Sequence, residues 1–469
     1  MRAESPAVLN TKAAEEINNT AQRSGVAGRV GLLLLATVGA VLVHGYHPFV
    51  EDAEIYVPGI KKLLSPALYP YNQAFFASHA SMTFYPNLIA WSSRLSHLSL
   101  EWTLLVWHFG CIFLLLWGCW RIGRICFLNG RAAWGGSLLV AALLTIPVAG
   151  TALYIMDQYV NPRSISTATA VWIIAAALER KYWYAAIWIA LTALVHPLMA
   201  VFSLGFVLML VAQQRLTPPP TLAAFVFPLA LFPPVSSAYK QTLDAHSYFF
   251  MLRWEWYEWL GAIAPLFLFW WFAHIAQRRK LYALRQLCFA TIVFGIACML
   301  AALVITIPSS LIRFAELQPM RGLLIVYLLL FVVGGGLLVE YVLKDRAWRW
   351  AALLIPICAG MFYAQRQLFP ATFHLELPGR ATENPWLDAF LWIRHNTPTD
   401  AYFALNPEHM RLSGEDQHGF RAVAERSMLA DAVKDSGAVT MFPALAEEWQ
   451  AQVQAQKGWD HFGRSDFER

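Results

Sequence analysis

Charged side chains are scarce in this sequence: Asp, Glu, Lys and Arg make up 14% of its 469 residues, where a soluble domain carries roughly 25%. That shortage excludes an ordinary cytosolic enzyme. Cysteine is missing from the polar loops, because Cys111, Cys119, Cys126, Cys288, Cys298 and Cys358 all lie inside or beside apolar runs and no CxxC pair occurs. A disulfide framework and a zinc site of the usual spacing are thereby excluded. The net charge of +5 is spread over loops, with no basic stripe interleaved with aromatics, so no nucleic-acid partner is expected. There is no internal repeat, and no low-complexity tract beyond the Pro218–Pro220 turn. No small-residue cleavage motif follows the first apolar run, so that run reads as a retained span rather than a secretory signal.

What the sequence has instead is apolar length. Hydrophobic residues make up 58% of it, and runs such as Val30–Val43, Trp102–Trp120, Ala133–Ile155, Trp259–Ala276 and Leu287–Ile307 recur along the chain. Each approaches the ~20 residues that cross a bilayer's hydrocarbon core. The 20 Trp, 17 Tyr and 30 Phe cluster where these runs meet polar loops, as interfacial aromatic belts do. The chain reads as polytopic.

The expected spans are about 29–45, 102–120, 133–155, 165–179, 182–195, 197–213, 221–239, 258–277, 287–308, 322–343 and 350–366, eleven in all. One side of this arrangement collects 17 of the 35 Lys and Arg, among them Arg121, Arg124, Arg278, Arg279 and Lys280, against 8 in the opposite loops. By the positive-inside rule the N-terminus is cytoplasmic and the C-terminus extracytoplasmic. The stretch Tyr182–Gln213 reads either as two short helices or as one long helix kinked at Pro197. The Arg278–Lys280 cluster favours two, since one helix would turn that cluster outward.

Three regions follow: a cytoplasmic N-tail over residues 1–28, a transmembrane domain over 29–366 with a large outer loop at 46–101, and an extracytoplasmic segment over 367–469. In that segment PWLDAFLWIRHN has helical spacing, the turn NTPTD follows, and AYFAL reads as a strand. FRAVAERSML and PALAEEWQAQVQ read as further amphipathic pieces. Together they predict a small α/β module, and the polar ending GRSDFER reads as that of an incomplete one.

The segment most able to carry chemistry is HGYHPFVEDAEIYVPGIKKLLSPALYP, directly after the first span. Glu51, Asp52 and Glu54 crowd into four positions, with His44 and His47 before them and Tyr56 after. A lone acid near a membrane surface is usually a solvated loop charge; three together are harder to explain that way. An acidic pair after the first membrane helix, then an aromatic, then an amphipathic stretch ending in LYP, resembles the first outer loop of the GT-C superfamily of membrane glycosyltransferases. The pattern is nearest to the protein mannosyltransferases and aminoarabinose transferases, whose pair is Asp-Glu. Glu51 and Asp52 hold those places in reversed order, and Tyr56 that of the aromatic. WIRHNTPTDAYFALNP and FRAVAERS also resemble the outer domains of uncharacterised bacterial GT-C-like proteins.

The resemblance implies a GT-C-like, all-α polytopic protein in a bacterial inner membrane. The implied reaction moves a sugar from a polyprenyl-phosphate donor to an acceptor at the outer face. Such chemistry asks for a carboxylate base and for cations that stabilise the departing phosphate. Asp52 is the expected base, with Glu51 as the alternative. Arg163 in DQYVNPRS, and Arg313 and Arg321 in LIRFAELQPMRG, are the expected phosphate-binding cations, Arg being suited to bidentate phosphate contacts. Glu316 and Gln318 make the second of these loops unusually polar. Each arginine has a plainer reading as a headgroup anchor.

His196, before Pro197, is an ionisable residue between apolar segments and hence a candidate substrate-binding group; its plainer role is to satisfy backbone freed by the proline. His246–Trp259 reads as an aromatic interfacial helix. In the resembled superfamily some members hold a divalent cation with outer-loop acids and others use none, and here the acids lack regular ligand spacing, so no metal ligands are assigned. The competing reading is a transporter or flippase of a lipid or polar solute, with Asp52, His196 and Arg313 along its pathway. A non-catalytic scaffold whose tail docks a partner is the third.

Overall fold

A computed structural model describes residues 6–215, 235–458 and 461. In a bilayer each backbone N–H and C=O must be paired within the protein, which favours continuous helices wherever the chain crosses. Among the described residues seven stretches are long and apolar enough to do so: Gly25–His44, Leu100–Cys126, Pro197–Gln214, Trp256–Arg278, Tyr282–Thr306, Ile312–Leu343 and Ala347–Leu368. Two shorter apolar helices, Pro162–Leu178 and Tyr182–Val195, accompany them. The chain is a polytopic helical membrane protein.

The first helix, α1 (Pro6–His44), is followed by three short helices in the outer loop, α2 (Ala53–Leu64), α3 (Ala74–Ser81) and α4 (Tyr85–Ser96). The spanning helix α5 (Leu100–Cys126) starts at a Ser99 cap and packs on α6 (Gly130–Ala142). Here the structure departs from the expected span over 133–155. The helix stops at Ala142, and a short antiparallel hairpin follows, β1 (Pro147–Val148) and β2 (Leu153–Tyr154). Pro147 cannot donate to a helical ladder, and Gly150 turns the chain at φ +60 beneath the Trp254 indole, where a Cβ would come within 2.5 Å.

Next come α7 (Pro162–Leu178), α8 (Tyr182–Val195) and α9 (Pro197–Arg215). Asn161 and Ser164 form a capping box with Pro162 at the first helical position, a sequence-encoded start for α7. Residues 182–215 are two helices, broken at His196, whose φ and ψ of −151 and 87 are not helical. The expected span at 221–239 lies largely outside the described residues.

Beyond it are α10 (Ser237–Ala245), α11 (Trp256–Arg278), α12 (Tyr282–Thr306), α13 (Leu323–Leu338) and α14 (Ala347–Leu368). His246–Trp259 is not one interfacial helix. It forms two 3-10 turns, Ser247–Phe249 and Met251–Arg253, and α11 begins only at Trp256 behind a Glu255–Glu258 capping box. Helix α13 is deeply packed, with Leu323, Leu324, Ile325, Val326, Leu328 and Leu329 all buried in its first two turns, whereas among the described residues Gln365 alone is buried on α14. It lies against α6 through glycines, since a Cβ on Gly335 would meet the Gly135 carbonyl at 2.4 Å and one on Gly136 would meet the Val332 carbonyl at 2.5 Å. Small residues let two backbones approach this closely in a membrane.

The C-terminal segment carries α15 (Pro385–Asn396), β3 (Tyr402–Phe403), α16 (Phe420–Ala424), β4 (Ser427–Met428), α17 (Asp435–Met441) and α18 (Ala446–Ala455). Strands β3 and β4 pair in parallel, Tyr402 with Ser427 and Phe403 with Met428. One small core unites Leu387, Phe390, Phe420, Val423, Ala424 and Met428 with Phe49 of the outer loop packed against it. Ala422, Ala430, Val439 and Trp449 instead join the large core shared with the membrane helices. The segment is thus packed onto the outer loop rather than around a core wholly its own.

Candidate functional site

The sequence EDAE at residues 51–54 reaches the segment 415–435 through two ion clusters of opposite character. Glu54 lies on α2 with no solvent exposure. Its Oε1 accepts from the Arg421 backbone N–H at 3.0 Å and its Oε2 from that of Ala422 at 3.0 Å. A carboxylate at the first turn of a helix is favoured by the unpaired N–H groups there, so Glu54 fastens α16 to the outer loop. Gly419 makes this approach feasible, since a Cβ there would lie 2.3 Å from Glu54 Oε2.

Arg421 is buried beside it. Its guanidinium donates to Glu54 Oε1 at 3.3 Å and to Asp435 at 2.9 and 2.7 Å, and Asp431 stands 3.8 Å away. Three acids around one cation leave surplus negative charge in a dry site. Burial accordingly raises Glu54 to about 8 against the pull of Arg421, and raises Asp435 to about 6.

Asp52, two residues earlier, is different. It stands at the N-terminus of α2 yet makes no capping bond, so its carboxylate turns sideways, 31% exposed. Its Oδ1 accepts from Lys434 Nζ at 3.1 Å, and its Oδ2 lies 3.7 Å from Arg163. The Asp52 backbone N–H donates to the Tyr159 hydroxyl at 3.1 Å, which ties the residue to the segment between β2 and α7. Burial would raise this carboxyl, but the Lys434 ammonium and the Arg163 guanidinium beside it hold it well below the usual carboxylate range. Burial lowers Lys434, and Asp52 and Glu51 override that to hold it above the usual lysine range. Glu51, at φ +55, also pairs with Lys434.

Arg163 donates to Asp157 at 2.6 Å, and Asn161 donates to the same oxygen at 2.7 Å. The Nε atoms of Arg163 and of Arg321 are buried without a hydrogen-bond partner among the described residues. Arg321 lies in the 3-10 turn Pro319–Gly322 just before α13, its Cζ 5.7 Å from the Tyr248 ring centre. Its charge acts on Asp52, Tyr56 and Tyr248, so it belongs to the same polar cluster. Tyr56 shares a 3.2 Å hydrogen bond with His79 Nε2.

The other expected residues are placed as follows. His196 Nδ1 accepts from the Met199 N–H at 3.4 Å, capping α9, and its ring lies within the field of Arg163 and Arg321. The helix break beside it leaves the Leu194 carbonyl to accept from the outer-loop Phe84 N–H at 2.8 Å. Arg313 and Glu316 occupy the 3-10 turn Ile312–Leu317 and act on Tyr239; neither is among the charges acting most strongly on Asp52. The expected set thus divides: Asp52, Glu51, Tyr56, Arg163, Arg321 and His196 gather, while Arg313 and Glu316 border a neighbouring contact.

Lys434, Asp157, His79 and Tyr248 stand in the cluster without having been singled out from sequence. Asp157 and Arg163 share DQYVNPRS with the Asn161 cap, a local signal that the sequence does offer. Lys434 lies 382 residues from Asp52, and nothing local marks it.

A second junction sits beside the site. His47 Nδ1 lies 2.5 Å from Glu376 Oε1, and His418 Nε2 lies 3.1 Å from both Glu376 oxygens. Glu376 and the backbone hydrogen bond at Glu415 outweigh burial and raise His418 to about 9, while the two histidines lower Glu376 to about 2. Isolated bridges, Tyr46 with Leu375 and Val50 with His418, continue the junction along the backbone. Next to it a groove of about 540 Å³ opens beside Glu51 and Lys434, lined also by Gln367, Arg411, Asp416 and Gln417.

Among the described residues no group of three or more His, Cys, Asp or Glu side chains is arranged to hold a metal ion. The Asp52 carboxylate already faces an ammonium and a guanidinium, so these residues do not fit a divalent cation in this arrangement. What the cluster offers is an ionised, partly exposed carboxylate among fixed cations with spare N–H groups.

No protein-family model and no curated protein matches the chain. Among solved structures, the archaeal oligosaccharyltransferase AglB from Archaeoglobus fulgidus, in complex with an inhibitory peptide and a dolichol-phosphate, superposes with a TM-score of 0.46 at 13% identity. The alignment covers 86% of this chain and 64% of that one.

Proposed function

We propose that the protein is a membrane glycosyltransferase that moves a sugar from a polyprenyl-phosphate donor to an acceptor hydroxyl, with Asp52 as the base and the neighbouring cations as the phosphate site. The observation that carries this reading is the placement of Asp52 beside Arg163 and Lys434, with Arg321 in the same field. Transfer from a lipid phosphate must remove a proton from the acceptor and stabilise charge on the leaving phosphate. This cluster holds groups suited to both tasks.

At rest Asp52 is a weak base, because Lys434 and Arg163 hold it ionised. An incoming phosphate would share those cations, and the loss of their full field would raise the Asp52 carboxyl toward its usual range. Donor binding would thus make the base competent, which couples proton removal to a filled donor site. Tyr56 and His79 border the carboxylate, and the groove beside Glu51 and Lys434 offers the acceptor a polar approach. The site lies at the ends of the membrane helices, under the outer loop and C-terminal segment, which on the charge count is the extracytoplasmic face.

The test uses purified protein in nanodiscs with a panel of polyprenyl-phosphate sugars and peptide, lipid and glycan acceptors. Transfer by the wild type that is lost in Asp52→Asn, with binding of undecaprenyl phosphate retained, supports the reading. Equal turnover by Asp52→Asn removes Asp52 as the base. Absence of undecaprenyl phosphate binding in the wild type would sink the donor assignment.

A further inference from the structure

Helix α13 contains three successive glycines with different duties. A Cβ on Gly335 would strike the Gly135 carbonyl and one on Gly336 the Phe127 ring at 2.2 Å, so both serve the contact with α6 and α5. Among the described residues, a Cβ on Gly334 would meet nothing within 4 Å. Neither packing nor backbone geometry calls for glycine there, yet Gly334 lines a groove of about 740 Å³ between α11 and α13, walled by aliphatic and aromatic side chains. The missing side chain keeps this groove open.

One end of the groove is basic. Arg278 and Arg279, the exposed residues that close α11, both line it, and among the described residues no acidic one does. The Arg279 Nε donates to the Tyr341 hydroxyl at 3.2 Å and its Cζ lies 5.5 Å from that ring, tying the guanidinium to the groove wall. Tyr341 reaches this position from the π-helical turn Val339–Leu343 that ends α13. Arg278 ends α11, whose 23 residues span roughly 34 Å at 1.5 Å per residue, and among the described residues the groove shares no lining residue with the Asp52 cluster.

We propose that this groove binds one anionic glycerophospholipid, its acyl chain over Gly334 and its phosphate on Arg278 and Arg279. An apolar trough ending in two arginines and a tyrosine hydroxyl matches a lipid with a charged head: the chain fills space that a side chain at 334 would take, and guanidinium forks suit phosphate oxygens. The helix C-terminus accounts for basic residues in general; it does not account for an open glycine behind them. The site is separate from the proposed donor site and does not rest on the transferase reading.

The experiment is native mass spectrometry of the full-length protein after reconstitution in phosphatidylcholine nanodiscs containing a minor fraction of phosphatidylglycerol. The wild type is expected to retain one phosphatidylglycerol selectively. The paired variant Arg278→Gln, Arg279→Gln is expected to lose that selectivity by about tenfold or more, and Gly334→Leu to lose the bound lipid of either class. Tryptophan-fluorescence melting reports whether each variant folds; should Gly334→Leu fail to fold, the arginine pair decides alone. Equal retention of both lipids by the wild type overturns the proposal, as does unchanged selectivity in the arginine variant.

Discussion

Glu54 and Asp52 are two residues apart on one helix start, bear the same functional group and both meet cations from the segment 421–434. Their fates differ because their solvent access differs. Glu54 is sealed in, with both oxygens spent on backbone N–H groups of α16 and on Arg421. Asp52 is 31% exposed, makes no capping bond and has only side-chain partners. A carboxylate whose oxygens are all committed holds structure; one that is partly exposed and held only by side-chain cations can change partners when a ligand draws on those cations. The short acidic stretch therefore contains a fastener and a candidate reactive group side by side.

The sharpest way to break this comparison is to remove one charge from each cluster, the acid itself at Asp52 and the cation that faces Glu54. Asp52→Asn is expected to lower sugar transfer by about 10²–10⁴-fold with a drop in melting temperature smaller than that of Arg421→Met, because Glu51 still pairs with Lys434 and Asp157 with Arg163, read by an activity assay beside thermal unfolding. Arg421→Met is expected to do the reverse. It leaves Glu54, Asp431 and Asp435 buried around no cation and costs roughly 3–5 kcal/mol, seen as loss of protease resistance across residues 415–445. A mutant pair in which both changes lowered stability alike would erase the distinction.

Smaller effects refine it. Gly419→Ala pushes a methyl into Glu54 and is expected to destabilise by about 1–3 kcal/mol, measurable as earlier denaturation, with catalysis per folded molecule unchanged. The junction of His47, Glu376 and His418 predicts a pH dependence. His418, raised to about 9, stabilises the junction fully below its ordinary value near 6.5, and that stability is lost as pH rises through 9. Glu376, lowered to about 2, contributes above its ordinary value near 4.3 and loses its contribution as pH falls through 2. Hydrogen-exchange protection factors, with the intrinsic pH dependence of exchange divided out, should therefore be highest at residues 374–376 and 415–419 between about pH 4.5 and 6.5, and His418→Gln should flatten the alkaline limb. Smallest of all, Glu51→Gln is expected to reduce transfer less than tenfold, because Lys434 keeps its bond to Asp52. A larger loss would exchange the roles of the two acids.

Much of the membrane part was legible in the sequence. Runs such as Trp102–Trp120 and Leu287–Ile307 contain no Asp, Glu, Lys or Arg, and bilayer thickness turns such a run into a helix. The break at His196 was marked by Pro197. The run Ala133–Ile155 misled because apolarity is common to a helix and to a buried hairpin, and Pro147 with Gly150 carried the distinction. His246–Trp259 misled in a similar way: Phe249, Phe250 and Trp254 bury themselves around two 3-10 turns instead of lining one helical face. In the candidate site, the pair of Asp52 with Arg163 was readable, since an acid after a spanning helix and an arginine in a capped turn are local signals. Arg313 could not be separated from Arg321 by sequence, since both lie in one polar turn region and only its fold decides which faces Asp52.

The sequence alone determined the solvent this chain lives in, the approximate course of its helices and the segment in which acids concentrate, because composition and run length act locally. Tertiary structure decided which of three neighbouring acids is sealed and which is exposed, and it brought Lys434 across 382 residues to the Asp52 carboxylate. Charge pairing depends on distance in space, and no local pattern encodes a distance between segments so far apart along the chain.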